Sequence, residues 1–466
     1  MESSSAERER SRYYGKHPTF RIIVKVCLLS VLMVQGNQSN ASGSIPEPLR
    51  ALHNHLQQRE GVSQADPADA VAVMQWALRT LDTADFGERW DIAKLLSPCG
   101  AVAIAPILDR LQRLDDDDWE LQWYLIRVLG DCRHPNAMTA LAHQLQTTDH
   151  PDIAQAAAIA LANMGPPAIP VLAQLLEVPE IRLRVVQALA QLSDAAVIPV
   201  LQAVVNDPTP AVRAAALEAL AQHRDDGSVT ALVQGLADHH AEVRRTAASG
   251  LGRFAPMVAS ADLVNTLEVL LTDVNLDVAG QAAITLGRLG TEDAVVALTQ
   301  PLRSPHTPAP LLTHVIHALG WIATPTALQQ LAEFLHMAWQ EPHRHRTDTV
   351  CGEAIAMVSQ ITDTSLTSTA ATLLIQVLQE GGDRLSPILR QRLALGLGRL
   401  QEAIALDPLV QLLTDTHAGV QLHAIAALKL LPGPTAYDHL QDLAQQADLD
   451  PDLAQGVAIA LREWHR

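Results

Sequence analysis

Three sets of side chains have the types and spacing to do chemistry. Four consecutive aspartates, residues 115–118 ahead of Trp119, would offer carboxylates to a hard divalent cation. They lack the alternating oxygen ligands and the glycine of a calcium loop, and they precede an apolar helix, where aspartate caps free backbone N–H groups. The turn role is therefore the expected one. His336, His343 and His345, within HMAWQEPHRHR, would offer imidazoles to a transition metal. Arg344 and Arg346 beside them repel a cation, which favours a solvated loop. The four cysteines, Cys27, Cys99, Cys132 and Cys351, form no CxxC pair and no zinc spacing. Cys99 and Cys132 fall at similar turn positions of adjacent helical layers, about 8–10 Å apart and beyond disulfide reach, so all four read as thiols. There is no GxSxG, no phosphate loop of the Walker kind and no HExxH. The expectation is no catalytic residue, no metal ligand and no cofactor.

The elements that must position any site are more legible than a reaction. PAVRAAALEAL, from Pro210, is followed 31 residues later by AEVRRTAASGL. Val212 and Val243 each have an aspartate five residues before (Asp207, Asp238) and a leucine eight after (Leu220, Leu251). The same apolar anchor recurs at Leu121, Ile153, Ile181, Val278, Leu311, Val350, Leu389, Val420 and Leu453, with spacings of 28 to 39 residues. Self-similarity at such a period marks a solenoid. Each unit reads as two helices: Val229 to Ala237, for instance, then a turn at Asp238–His240, then Val243 to Gly252. Stripes such as Val212, Ala216 and Leu220 leave a smooth face for close packing. The turn aspartate is expected to cap the second helix, and arginine at anchor plus one (Arg182, Arg213, Arg244, Arg390) to reach the turn aspartate of an adjacent repeat. A small residue follows the plus-eight position at Gly130, Gly252, Gly287, Gly320 and Gly398.

The units VRAAALEALAQHRDDGSVTALVQGLAD and VAGQAAITLGRLGTEDAVVALTQPL resemble HEAT repeats, and specifically the short phycobilisome lyase HEAT-like repeats. The resemblance runs over about residues 86–466 and implies an all-α, right-handed α-α superhelix (HEAT/armadillo-like solenoid) of about 11–12 helical-hairpin repeats. Its functional implication is of two kinds: scaffold proteins without assigned activity, and subunits of bilin lyases, which attach or detach phycobilin chromophores on antenna proteins. Deoxyhypusine hydroxylases, a related helical-repeat class, hold two irons with His-Glu dipeptides; this chain has no His-Glu dipeptide, which excludes that reading on residue grounds.

Length and charge fit this picture. A repeat array grows in one dimension, so 466 residues require no division into ordinary domains. With 48% hydrophobic but only 3% aromatic residues, the layers must be filled by Leu, Ala, Val and Ile. The net charge of −18 argues against nucleic acid as a partner and for a protein partner, with a basic surface or a phycobiliprotein as the candidates. Residues 1–45 form a basic and apolar leader whose run from Ile22 to Val34 is too short to span a bilayer but fits a signal h-region, with Ser39-Asn40-Ala41 as a cleavage site. Membrane contact would come only through that leader. The cytoplasm is the expected location, with export or anchoring through residues 1–41, or a downstream start at Met33, as alternatives. Residues 46–85 read as a helical N-terminal cap opened by Asp66-Pro67, and residues 86–466 as the array.

In such arrays the second helices line the concave face. The expected partner-binding set is Arg127, Gln155, Arg184, Glu218, Arg245, Gln281, His314, Arg392 and His423. Trp119, Trp123 and Trp321 are large enough to anchor an interface, with buried packing as the expected role. The sequence thus implies a non-enzymatic scaffold with an acidic curved surface; the alternative, carried by the resemblance, is a bilin lyase subunit in which Arg127, Arg184 or Arg392 would meet chromophore propionates.

Overall fold

A computed structural model describes residues 78–79, 81, 101–114, 118–223, 225–255, 257–258, 260–340, 347–433, 435–446 and 448–464. The leader, nearly all of the N-terminal cap, three of the four consecutive aspartates, Cys27, Cys99, His343 and His345 lie outside these residues. The chain divides into two compact units, residues 1–203 and 204–466.

Among the described residues the secondary structure is entirely helical. In the first unit the helices are α1 (Ala101–Gln112), α2 (Trp119–Asp131), α3 (Pro135–Thr147), α4 (Pro151–Asn163), α5 (Ile169–Leu175), α6 (Arg182–Leu189) and α7 (Val197–Gln202). The second unit has α8 (Pro210–Leu220), α9 (Asp226–Gly235), α10 (Ala241–Phe254), α11 (Ala261–Leu270), α12 (Leu276–Leu289), α13 (Glu292–Arg303) and α14 (Ala309–Ile322). It continues through α15 (Pro325–Gln340), α16 (Asp348–Ser359), α17 (Thr364–Gly381), α18 (Pro387–Leu400), α19 (Leu406–Gln411), α20 (Ala418–Leu430), α21 (Thr435–Ala444) and α22 (Pro451–Trp464). First and second helices alternate, and none of the described helices is long and apolar enough to cross a membrane.

The anchors sit where the repeat rule places them. Ten of them are buried, and Val212, Ala216 and Leu220 form a stripe no more than 2% exposed. Leu453, on α22, is half-buried because no further helix covers it among the described residues. The first helix expected to start at Val229 starts at Asp226 instead, because Asp225 accepts a hydrogen bond from Ser228 N and caps an earlier turn.

Second helices pack closer to one another along the array than first helices do. The glycines at anchor plus nine permit this. A Cβ on Gly130 would stand 2.8 Å from Ala160 Cβ, one on Gly287 2.8 Å from Ala318 Cα, and one on Gly398 2.7 Å from Ala427 Cα. In each case the facing alanine stands at anchor plus seven of the next repeat, so small residues on both helices let two backbones meet.

The arginine ladder forms in the second unit. Arg213 makes two hydrogen bonds of 2.7 Å to the carboxylate of Asp238, and Arg244 two of 2.7 and 2.9 Å to Asp273. Each also donates through Nη1 to a carbonyl of its own turn, Asp207 or Asp238. Arg390 Nε lies 2.7 Å from Asp415 Oδ2 but off the hydrogen-bond line; its Nη2 donates to Asp415 Oδ1 at 3.2 Å. Arg182 donates to the Leu176 carbonyl.

The expected capping role of these aspartates is corrected. Asp207, Asp238, Asp273 and Asp415 accept from the N–H two residues on, at Thr209, His240, Asn275 and His417. Those donor N–H groups belong to the N-cap residues themselves, so each aspartate fixes the turn ahead of the helix. In Asp238 and Asp273, Oδ1 is shared between that N–H and the Nη2 of the preceding repeat's arginine, and Oδ2 takes the arginine's Nε.

This geometry sets an acid dependence. Burial opposes the charged form of Asp238, but the Arg213 side chain and the His240 N–H outweigh it and hold the carboxyl below its ordinary 3.8; Asp273 is held down in the same way by Arg244 and Asn275. A carboxyl depressed in the folded state contributes stability that is complete above its unfolded value and is lost as pH falls through the folded value. The Tm should be flat from neutral pH down to about pH 5 and fall below about pH 4. Asp238→Asn should have a lower neutral Tm and a shallower acid limb; a limb as steep as in the unaltered protein would contradict the assignment.

Candidate partner-binding face

On an α-helix, positions three, six and ten beyond an anchor share one face, within about 60° of each other, and that face points away from the anchor's packing side. From α10 to α20 the second helices leave the side chains at these offsets exposed or half-buried, with the buried anchors and alanines behind them. All nine sequence-expected contact residues lie on second helices, and none is buried.

In the first unit Arg127 (α2) is exposed, with its guanidinium carbon 5.8 Å from the centre of the Trp123 ring; Gln155 (α4) is exposed and Arg184 (α6) half-buried. In the second unit Glu218 (α8), Arg245 (α10) and Arg392 (α18) are exposed, while Gln281 (α12), His314 (α14) and His423 (α20) are half-buried. His314 lies over Gly280 of the preceding second helix, its Nε2 3.0 Å from where a Cβ would stand. Arg392 lies in the same manner over Gly352. His423 Nδ1 donates to the Gly419 carbonyl at 2.6 Å, which turns the ring back along its own helix. Gln281, His314, Arg392 and His423 share the plus-three offset with Glu353 of α16 and form one row from α12 to α20; Arg245, at plus two, stands at its margin, and Gln155 holds the plus-two offset in the first unit.

The structure adds residues outside the expected set of nine. His317 Nε2 is 3.2 Å from Glu353 Oε2, joining α14 to α16 across the same face. Arg253, Arg288, Trp321 and Arg399 stand at anchor plus ten, in the last turns of α10, α12, α14 and α18, and all are exposed. The plus-ten offset was available in the repeat rule and would have found them.

Burial does not describe the tryptophans expected to be packed. Trp321 is 52% exposed and Trp119 40% exposed. Trp119 stacks on His150 with ring centres 5.3 Å apart, and Trp123 meets Tyr124 edge-on. His336 pairs instead with Glu380 at 2.8 Å, away from the plus-three row. Among the described residues no group of His, Cys, Asp and Glu converges as a metal site.

One cavity, of about 670 Å³, opens in the second unit at the edge where first helices turn into second helices. Leu335, Ile355, Val377 and Leu389 give it apolar walls, and Asp348, Arg384 and His417 contribute polar groups. Cys351, at the anchor-plus-one place that Arg213, Arg244 and Arg390 take in their own repeats, lines it together with Arg390.

These paired helices with buried anchors define a helical-repeat solenoid. The family model for HEAT repeats matches residues 107–180, 169–252, 229–309, 264–347 and 354–462, and the chain belongs to the HEAT-repeat family. The match is to HEAT repeats in general. No curated protein sequence matches the chain. Among solved structures, Kap121p bound to Nup53p is similar at 13% identity and a TM-score of 0.56, covering 95% of this chain and 52% of that one. Kap121p alone gives 14% identity, a TM-score of 0.52 and coverage of 94% and 53%. The karyopherin Kap121p bound to the extreme C-terminus of the protein phosphatase Cdc14p gives 14%, 0.51, and 89% and 50%. The chain spans about half the length of these structures, and at such identities the likeness is one of fold.

Proposed function

We propose that this chain is a non-enzymatic protein-interaction scaffold that holds its partner on the exposed face of its second helices. The observation that carries the reading is the row at anchor plus three. From α12 to α20, successive second helices held together by buried anchors and glycine contacts present Gln281, His314, Glu353, Arg392 and His423 side by side on a rigid support. Two of the Kap121p structures are of that protein bound to other proteins, which supports a protein partner for the shared fold.

The test is capture of partners from the native cell extract by the full chain and by a His314→Ala/Arg392→Ala variant. Both positions are surface ones, so the variant should keep its Tm within about 1–2 °C while the captured partner falls by about tenfold or more. Undiminished capture would overturn the assignment of the face.

A finer reading, a phycobilin lyase subunit, is supported by the resemblance of the units starting at Val212 and Val278 and by the exposed arginines Arg127 and Arg392. It predicts a bilin absorbance change on mixing with the free chromophore, and loss of that change in Arg392→Ala. A spectrum unaltered by the protein would remove it.

A further inference from the structure

The net charge of −18 describes the whole chain, and the structure places that charge unevenly. In the second unit every first helix from α9 to α21 carries at least one carboxylate, and Arg303 is the only lysine or arginine on them. Arg303 is itself 2.8 Å from Glu333. The second helices carry the cations. After the ladder arginines are set aside with their aspartates, Arg245, Arg253, Arg288, Arg392 and Arg399 are exposed and make no ion pair among the described residues. The acid among them at an outward offset from α10 to α20 is Glu353, which is engaged with His317.

Two of these arginines and Trp321 form a continuous strip. Arg288 lies over Gly252, with Nη1 3.2 Å from where a Cβ on that glycine would stand, and so comes beside Arg253. Trp321 lies over Gly287 with Cε3 3.2 Å from the corresponding point, and so comes beside Arg288. The strip runs Arg253, Arg288, Trp321 across α10, α12 and α14: two unpaired guanidinium groups and a half-exposed indole. Asp277, in the first turn of α12, is about 16 Å from Arg288 along the helix, about two Debye lengths in physiological salt. Glu292 and Asp293, which begin α13, form no ion pair with Arg288.

We propose that the second-helix face from α10 to α20 binds an acidic, extended segment of a partner protein, with carboxylates on Arg253, Arg288 and Arg399 and an apolar side chain on Trp321. Arginine suits this role because its planar fork meets a carboxylate with two hydrogen bonds. The indole supplies the large contact area typical of an interface anchor. The acidic first helices would repel the same segment, so the charge pattern restricts it to one face. The partner inferred here is the opposite in charge to the basic one that composition alone suggests. The inference rests on the second helices being the binding face.

The experiment uses the full chain and two short fluorescent peptides at low ionic strength, one of glutamates around a single phenylalanine, the other with lysines in their place. Anisotropy should show the acidic peptide binding and the basic one not. Arg253→Glu/Arg288→Glu should weaken the acidic peptide by about tenfold or more, while Asp442→Lys on α21 should leave it unchanged. Arg399→Glu alone gives a second readout should the double variant fail to fold. Binding of the acidic peptide that survives these reversals overturns the proposal. Binding of the basic peptide, lost in Trp321→Ala, overturns the charge assignment but leaves the scaffold reading standing; failure of both peptides to bind overturns both. Displacement of the acidic peptide by a single-stranded oligonucleotide of equal charge at a lower concentration would place nucleic acid there and overturn the protein assignment.

Discussion

Replacing Gly398 by valine is expected to destabilise the second unit by about 3 kcal/mol, which corresponds to a loss of about 6–12 °C in Tm. A Cβ at this position would stand 2.7 Å from Ala427 Cα and 3.0 Å from the Ala427 carbonyl oxygen. The obstruction is backbone, so no rotamer change relieves it; α18 and α20 must separate. In a repeat array that separation removes the interface on which neighbouring stability depends. Gly290 is the control. It has φ of 69° and ψ of 19°, with nothing within 4 Å of a Cβ, so Gly290→Ala meets only left-handed strain, about 1–2 kcal/mol. A Gly398 variant no less stable than the Gly290 one, by thermal unfolding, would contradict the close approach of second helices.

The ladder is the second large effect. Asp273→Ala should cost about 3 kcal/mol, because it removes both hydrogen bonds to Arg244 and the turn bond to Asn275, and leaves a guanidinium in a site only 13% exposed. The diagnostic is the double variant. With Arg244→Leu also present no uncompensated charge remains, and Asp273→Ala/Arg244→Leu should recover part of the loss despite the further substitution. Additive losses in urea unfolding would show that the two side chains act independently, contrary to the geometry.

Much of this architecture was legible in one chain, for a physical reason. An array repeats its packing problem, so the same solution recurs at a readable offset. Val212 and Val243 with Leu220 and Leu251 were enough to locate ten buried anchors, and arginine at anchor plus one was enough to foresee the contact with the next turn. The aspartate's role was misread because an N-cap and a residue two places ahead of it look alike in sequence. The histidines and asparagine at the true N-caps, His240, Asn275 and His417, gave no stronger signal. Trp321 and Trp119 were expected inside because large aromatic side chains usually are; their offset from the anchor decides otherwise.

The candidate face was legible in part. The nine expected residues stand at offsets two, three and six from their anchors, and helical periodicity alone keeps such positions off the packing stripe. The plus-ten arginines and the joining of His317 to Glu353 depend on how consecutive helices are set beside one another, which only the glycine contacts reveal. Net charge says least about where a partner sits. A sum over the chain cannot show that carboxylates gather on one layer of helices and unpaired arginines on the other, and it is the local field that a partner meets.

Side-chain hydroxyl-radical footprinting of the full chain, free and with its captured partner, tests the central claim most directly. Protection of His314, His317, Trp321 and His423 on the second helices, with Met257, Val269 and Val296 unchanged, is the predicted result. Protection confined to Val269 and Val296, on the first helices α11 and α13, with Trp321 as reactive as in the free protein, would place the partner on the other layer and contradict the account.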